Sequence, residues 1–111
     1  MSERSYLGEL ELILLLTIIH LGDEAYGVPI SREIEKYRER RVSVGSIYAA
    51  LERLEKKGLL ASSLGDPTPE RGGKAKRYFR ITSEGLQEVQ ETRHLLTKLW
   101  RKLPELKGER A

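Results

Sequence analysis

From about Leu7 to Leu21 the chain is apolar on nearly every side, which predicts a helix enclosed by neighbours and ended by Gly22 and Asp23. A second helix opens near Tyr26. Pro29 falls in its first turn, where the missing N–H has no intrahelical partner to lose. Ile30, Ile34 and Tyr37 follow at i, i+4 and i+7 as its buried face, leaving Arg32, Glu35 and Arg38 on the other side. Ser43 can cap a third helix by accepting a hydrogen bond from a first-turn amide. Within that helix Ile47, Leu51 and Leu54 repeat the spacing, and Gly58 supplies a left-handed stop. The face left over carries Ser46, Ala49, Glu52, Arg53 and Lys56, with its small residues at the N-terminal end.

Beyond Gly58 the period changes from that of a helix to that of a strand. Leu59 to Leu64 reads as one strand, Gly65 to Ala75 as a Pro/Gly-rich loop and Lys76 to Ile81 as the returning strand. Phe79 and Ile81 share one face of the latter, while Lys76, Tyr78 and Arg80 share the other. Two strands alone are marginal, so this hairpin must pack on the helices. Thr82 then caps a final helix that runs to Leu103, is halted by Pro104 and measures roughly 33 Å.

In that last helix Val89, Thr92, Leu96, Leu99 and Leu103 alternate spacings of three and four, the seam of a coiled coil, with Leu86, Leu95 and Trp100 beside it. So small a domain has no room to bury the whole ridge. The expected solution is a homodimer whose interface holds Leu86, Val89, Leu96, Leu99, Trp100 and Leu103. The fold class expected is therefore mainly α with a small β-hairpin. A winged helix-turn-helix would occupy residues 1–81, a dimerisation helix 82–103 and a polar tail 104–111.

Composition narrows the function. At 111 residues the chain fits one domain and is small for an enzyme with a deep pocket. The net charge of +3 is modest but unevenly placed: Arg71, Lys74, Lys76, Arg77 and Arg80 lie on the hairpin with no acid among them. Clustered cations of this kind suit a polyanionic partner. With no cysteine, disulfides, thiolate catalysis and zinc fingers are excluded. The apolar run from Leu10 to Leu21 is too short to span a bilayer, and its flank, with Glu3, Arg4 and Glu9, lacks the basic start of a signal peptide. A cytoplasmic protein without a membrane partner is expected. His20, inside the apolar first helix, reads as a core histidine. His94 and Glu91 form an i, i+3 pair of metal-ligating types, but such isolated pairs are as a rule solvated, so no metal is assigned. No catalytic constellation or phosphate-binding glycine loop appears, so neither an enzyme nor a cofactor is expected.

What remains is a helix able to enter a groove, followed by a basic hairpin. On the helix, Ser43, Ser46, Tyr48 and Arg53 are the candidate DNA contacts, Arg53 through the bidentate geometry it offers guanine. The plain alternatives are that Ser43 is only a cap, Tyr48 a core-edge ring and Arg53 a solvated charge. On the hairpin, Arg71, Lys74, Lys76 and Arg77 can neutralise phosphates or read minor-groove width, with Gly72–Gly73 letting the backbone approach. Arg38, Arg40 and Arg41 can clamp the backbone from the junction of the second and third helices.

The pair Tyr26–Gly27, the pattern S-I-Y-x-x-L-x-x-L-E-x-x-G-L at Ser46 to Leu59 and the pattern R-Y-F-x-I-T-x-x-G at Arg77 to Gly85 together resemble the PadR family. The resemblance covers about residues 7 to 103 and is closest to the family's short branch, which has one helix after the wing. It implies a winged-helix transcriptional regulator, in most members a repressor, that binds double-stranded DNA. Tyr48 matches the family's tyrosine in the third helix, and Tyr26 joins the DNA-binding set by the same match. Ala49, where many relatives have proline, and Pro29 depart from the pattern. By resemblance, too, Trp100 would line a pocket for a small aromatic effector between paired last helices. A dimer of this kind predicts a roughly palindromic operator with half-sites about 34 Å apart. The rival reading is a winged-helix protein–protein interaction module that presents the wing's charge to an acidic partner.

Overall fold

The computed structural model of the chain describes residues 7–37, 42–67 and 75–103. Helix α1 spans Glu9–Leu21 and passes through a short 3-10 turn, Gly22–Glu24, into α2, Gly27–Tyr37. Helix α3 spans Val44–Lys56; the antiparallel strands β1 (Leu60–Pro67) and β2 (Ala75–Ile81) follow, then α4, Ser83–Arg101. The order is that of a winged helix-turn-helix with one long terminal helix.

One core holds the elements together. Leu14, Leu15 and Ile18 of α1 meet Ile30 and Ile34 of α2, and Ile47, Ala50, Leu51 and Leu54 of α3 close the bundle. Leu60, Phe79 and Val89 bring the hairpin and the start of α4 onto it. Burying Ile47, Leu51 and Leu54 is worth about 1.5–3 kcal/mol each, whereas the cap at Ser43 contributes about 1 kcal/mol. Packing therefore fixes where α3 lies, and the cap fixes where it begins. Its end is set by Gly58, which adopts φ +80. There the Leu59 amide bonds back to the Leu54 carbonyl at 3.0 Å.

The strands pair in the register Leu60 with Ile81, Ser62 with Phe79 and Leu64 with Arg77, shifting before Pro67 meets Ala75. The hairpin is longer than its sequence pattern predicts, because β1 continues through Gly65 to Pro67 and β2 starts at Ala75. A glycine and a proline at the far end of an edge pair are tolerated where the ladder is already irregular. On the outer side of β2, Tyr26 forms a bridge opposite Tyr78, and the Phe79 amide donates to the Ala25 carbonyl at 2.8 Å. The segment before α2 thus covers part of the β2 edge and ties the wing to the helix-turn-helix.

Four expectations are corrected. Tyr37 continues the α2 stripe on paper but is 76% exposed, because the core that covers Ile30 and Ile34 does not extend over it. His20 is not a core residue: its imidazole is largely exposed and faces Glu33 of α2, Nε2 to Oε2 3.6 Å. Helix α1 is not enclosed, because Leu16 and Ile19 are exposed, Leu16 bordering an open groove with Glu33, Ile34 and Tyr37 of α2. Val89 is buried in the chain's own core, so the apolar ridge of α4 open to another molecule begins with its neighbours. Leu86, Leu95, Leu96, Leu99, Trp100 and Leu103 are all at least 40% exposed.

Candidate nucleic-acid interface

The N-terminal half of α3 presents its polar residues to solvent. Ser43 caps the helix, its Oγ accepting from the Ser46 amide at 3.1 Å and donating to the Ser46 hydroxyl at 2.9 Å. Both serines are exposed, so the hydroxyl pair forms a small polar edge on the first turn. Tyr48, 44% exposed, leans toward the start of α2. A Cβ on residue 27 would overlap its hydroxyl, so the contact requires Gly27.

Arg53 lies farther along the helix and is tied down. Its Nε donates to Glu11 Oε2 of α1 at 3.2 Å, and Lys57 Nζ donates to Glu11 Oε1 at 3.2 Å. Glu11 also accepts from the Gly8 amide at 3.2 Å. Burial pushes its carboxyl up, but the Gly8 amide, Lys57 and Arg53 outweigh burial and hold it below the ordinary value of 4.5.

The wing is joined to α3 by a second polar group. Arg77 donates from its terminal nitrogen to Glu55 Oε1 at 3.0 Å and from Nε to Ser62 Oγ at 3.1 Å. Ser62 in turn donates to Glu55 Oε2 at 2.8 Å, which closes a ring of three side chains from α3, β1 and β2. On the other face of β2 the Lys76 ammonium sits 4.5 Å from the Tyr26 ring centroid. The Tyr26 and Tyr78 rings pack at 5.2 Å, tilted by 58°. The Tyr78 ring covers Gly65, where a side chain would strike it.

Of the residues singled out in the sequence, Ser43, Ser46 and Tyr48 share the exposed half of α3, and Tyr26 and Lys76 share the base of the wing. Arg53 and Arg77 are held in ion pairs that sequence spacing does not reveal. Arg71 and Lys74, like Arg38, Arg40 and Arg41, lie outside the described residues. Glu11, Glu55, Ser62 and Gly27 were missed as parts of the site. Glu11 carried a signal as an acid interrupting an apolar helix, and Gly27 and Glu55 lay within the quoted motifs, whereas Ser62 carried none. Trp100, 64% exposed, borders an open groove of about 450 Å³ with Leu96, Thr97 and Arg101. Glu91, the acid paired with His94 by spacing, accepts from Gln87 at 3.1 Å.

The model of the transcriptional regulator PadR-like family matches residues 15–91, from the middle of α1 into α4. The chain belongs to that family. This PadR-like chain is 36% identical over 101 residues to an uncharacterized protein of Lysinibacillus sphaericus, covering 89% of this chain and 84% of that one. It is 34% identical over 92 residues to Transcriptional regulator Rv3488 of Mycobacterium tuberculosis, covering 79% of each. Among solved structures, a PadR family transcription regulator from Clostridium difficile R20291 matches with a TM-score of 0.74 at 20% identity, over 89% of this chain and 98% of that one. That likeness is one of fold. A transcriptional regulator from Clostridium thermocellum matches with a TM-score of 0.63 at 31% identity, over 84% and 87%. The family and the two solved structures named are of transcription regulators. Among the described residues, no helix of this PadR-like regulator is long and apolar enough to cross a membrane.

Proposed function

We propose that this PadR-like regulator acts in the cytoplasm as a homodimeric repressor on a palindromic operator. The observation that carries the reading is the tie between wing and helix. Glu55, Ser62 and Arg77 link α3 to both strands, so a helix face bearing Ser43, Ser46 and Tyr48 and a wing bearing Lys76 are presented together. In this reading Ser46, Tyr48 and Arg53 face base edges and Ser43 the backbone at the helix start. Lys76, Arg71 and Lys74 then meet the adjacent groove wall, with Arg77 aiming the wing and Tyr26 beside them.

The exposed ridge of Leu86, Leu96, Leu99, Trp100 and Leu103 supports the dimer, because apolar side chains so closely spaced on one helix mark an interaction surface. A two-fold axis along that ridge would place the two α3 helices on successive turns of one DNA face. A flat aromatic effector held against Trp100 would act by preferring one arrangement of the paired α4 helices over another.

The test is selection of duplexes from a random-sequence pool, followed by titration of the selected duplex at low and moderate salt. Enrichment of an inverted repeat, bound by two chains, is expected. A failure to bind any duplex even at low salt would sink the regulator reading. Enrichment of a single half-site bound by one chain would sink the dimer.

A further inference from the structure

The first turns of α1 meet the last turns of α3 through one carboxylate. Glu11 keeps only 8% of its side chain exposed, whereas its partners Arg53 and Lys57 keep 55% and 32%. The acid is therefore fixed in the protein while both cations border water. Among the described residues Arg53 donates to it through Nε, so the outer edge of the guanidinium still points away. Two cations on one carboxylate exceed what anchoring a helix requires. A DNA phosphate would offer them the same thing, anionic oxygen at hydrogen-bond distance.

We propose that Glu11 is a specificity-determining residue, which holds Arg53 and Lys57 against α1 and so denies their charge to the phosphates of non-operator DNA. The inference rests on the DNA-binding reading of α3. Non-specific binding is almost entirely phosphate attraction, and every cation free to meet a phosphate strengthens it on all sequences alike. A neutralised guanidinium with a fixed direction can still present its outer N–H groups to a base edge at the operator. Glu11 thereby lowers binding to other DNA more than binding to the operator. The carboxyl stays ionised at neutral pH, as the counter-charge requires, because the Gly8 amide and the two cations outweigh its burial.

The experiment compares the full chain with its Glu11→Gln variant, reading fluorescence anisotropy of a labelled random-sequence duplex between about 50 and about 200 mM potassium chloride. The variant keeps the shape of the side chain and frees both cations. Its plot of log affinity against log salt should steepen by about 1.8, roughly 0.9 for each new phosphate contact. Its gain over the parent should then be about tenfold larger at the low end of that range than at the high end. The ratio of operator to random-duplex affinity should fall accordingly.

An unchanged slope in a folded variant, checked by circular dichroism, overturns the inference while leaving the DNA-binding reading intact. If Glu11→Gln does not fold, Glu11→Gln with Lys57→Gln restores a neutral hydrogen-bonding pair and frees Arg53 alone. The slope should then steepen by about 0.9, and no change overturns the inference. Absence of binding by the parent chain overturns the DNA-binding reading and this inference with it.

Discussion

The phenol of Tyr48 lies against the α-carbon of Gly27: a Cβ there would overlap the hydroxyl and come 3.1 Å from Cζ. Gly27 opens α2 and Tyr48 sits near the start of α3, so this contact helps set how the two helices of the helix-turn-helix meet. Gly27 follows Tyr26, and the two adjacent residues serve different neighbours. Tyr26 packs on Tyr78 of the wing, and Gly27 makes room for Tyr48 of the candidate reading helix.

Replacing Gly27 should therefore disturb DNA binding more than stability. In Gly27→Ala the ring of Tyr48, already 44% exposed, can swing outward rather than force the helices apart. Alanine also favours the helix by up to about 1 kcal/mol over glycine, which offsets part of the strain. The expected result is a stability change within about 1 kcal/mol of the parent by urea denaturation, with clearly weaker operator binding. In a Tyr48→Ala background the obstruction is gone, and Gly27→Ala should stabilise by about 0.5 kcal/mol. If Gly27→Ala costs the same in both backgrounds, the two residues are not coupled.

Glu11 predicts an acid limb in the stability curve. Its folded carboxyl titrates below the ordinary value of 4.5, so the folded state holds fewer protons there than the unfolded chain does. The stabilisation is fully present above that value and is lost as pH falls through the lower folded value. Thermal melts taken downward from pH near 4.5 should show a decline that is shallower in Glu11→Gln, which has no proton to gain at that position. Identical acid limbs in the two proteins would mean that other carboxylates carry the decline.

The elements were legible in the sequence because each has its own local signal. The spacing of Ile47, Leu51 and Leu54 marks a buried helix face, Ser43 a cap, Gly58 a stop, and the alternation around Phe79 a half-buried strand. What could not be read are the pairings between elements. Nothing local says that Arg53 answers to Glu11 or Arg77 to Glu55, since those partners are brought together only when α1, α3 and β2 share a core. The misplacements have the same root. Tyr37 continues the apolar stripe of α2 and His20 sits in the apolar run of α1, but neither pattern reveals where neighbouring elements stop covering the helix. The strand ends at Pro67 and Ala75 were hidden because glycine and proline usually read as loop.

The α4 ridge carries a prediction that separates folding from assembly. Leu99 is 48% exposed in the single chain, so Leu99→Asp should leave the core, and hence the helical circular dichroism spectrum, as it is. In a dimer the same position would be closed off from water, and an unpaired carboxylate there costs several kcal/mol. Sedimentation should show a dimer for the parent and a monomer for the variant, with operator affinity falling along with assembly. Should the variant still sediment as a dimer, the interface lies off this ridge. Valine 89 provides the contrast: Val89→Ala removes core contacts and should lower stability by about 1–3 kcal/mol without changing assembly.

Adjacent cations of the wing should behave differently, and the difference tests how the wing works. The Lys76 ammonium lies over the Tyr26 ring, an attraction worth about 0.5–1 kcal/mol at an exposed site, and meets no carboxylate among the described residues. Arg77, with a side chain 49% exposed, spends donors on Glu55 and Ser62. Lys76→Gln should thus remove a phosphate contact and flatten the salt dependence of operator binding by about 0.9. Arg77→Gln should instead release the wing from α3, at a cost of about 0.2–1 kcal/mol in stability. Its operator affinity would drop while the salt slope stays near that of the parent, because the released wing still carries Lys76 within reach of phosphate and loses only its direction. Equal losses of slope in the two variants would place both side chains on phosphates. The Glu55–Ser62–Arg77 ring would then be a contact that DNA breaks rather than one that aims the wing.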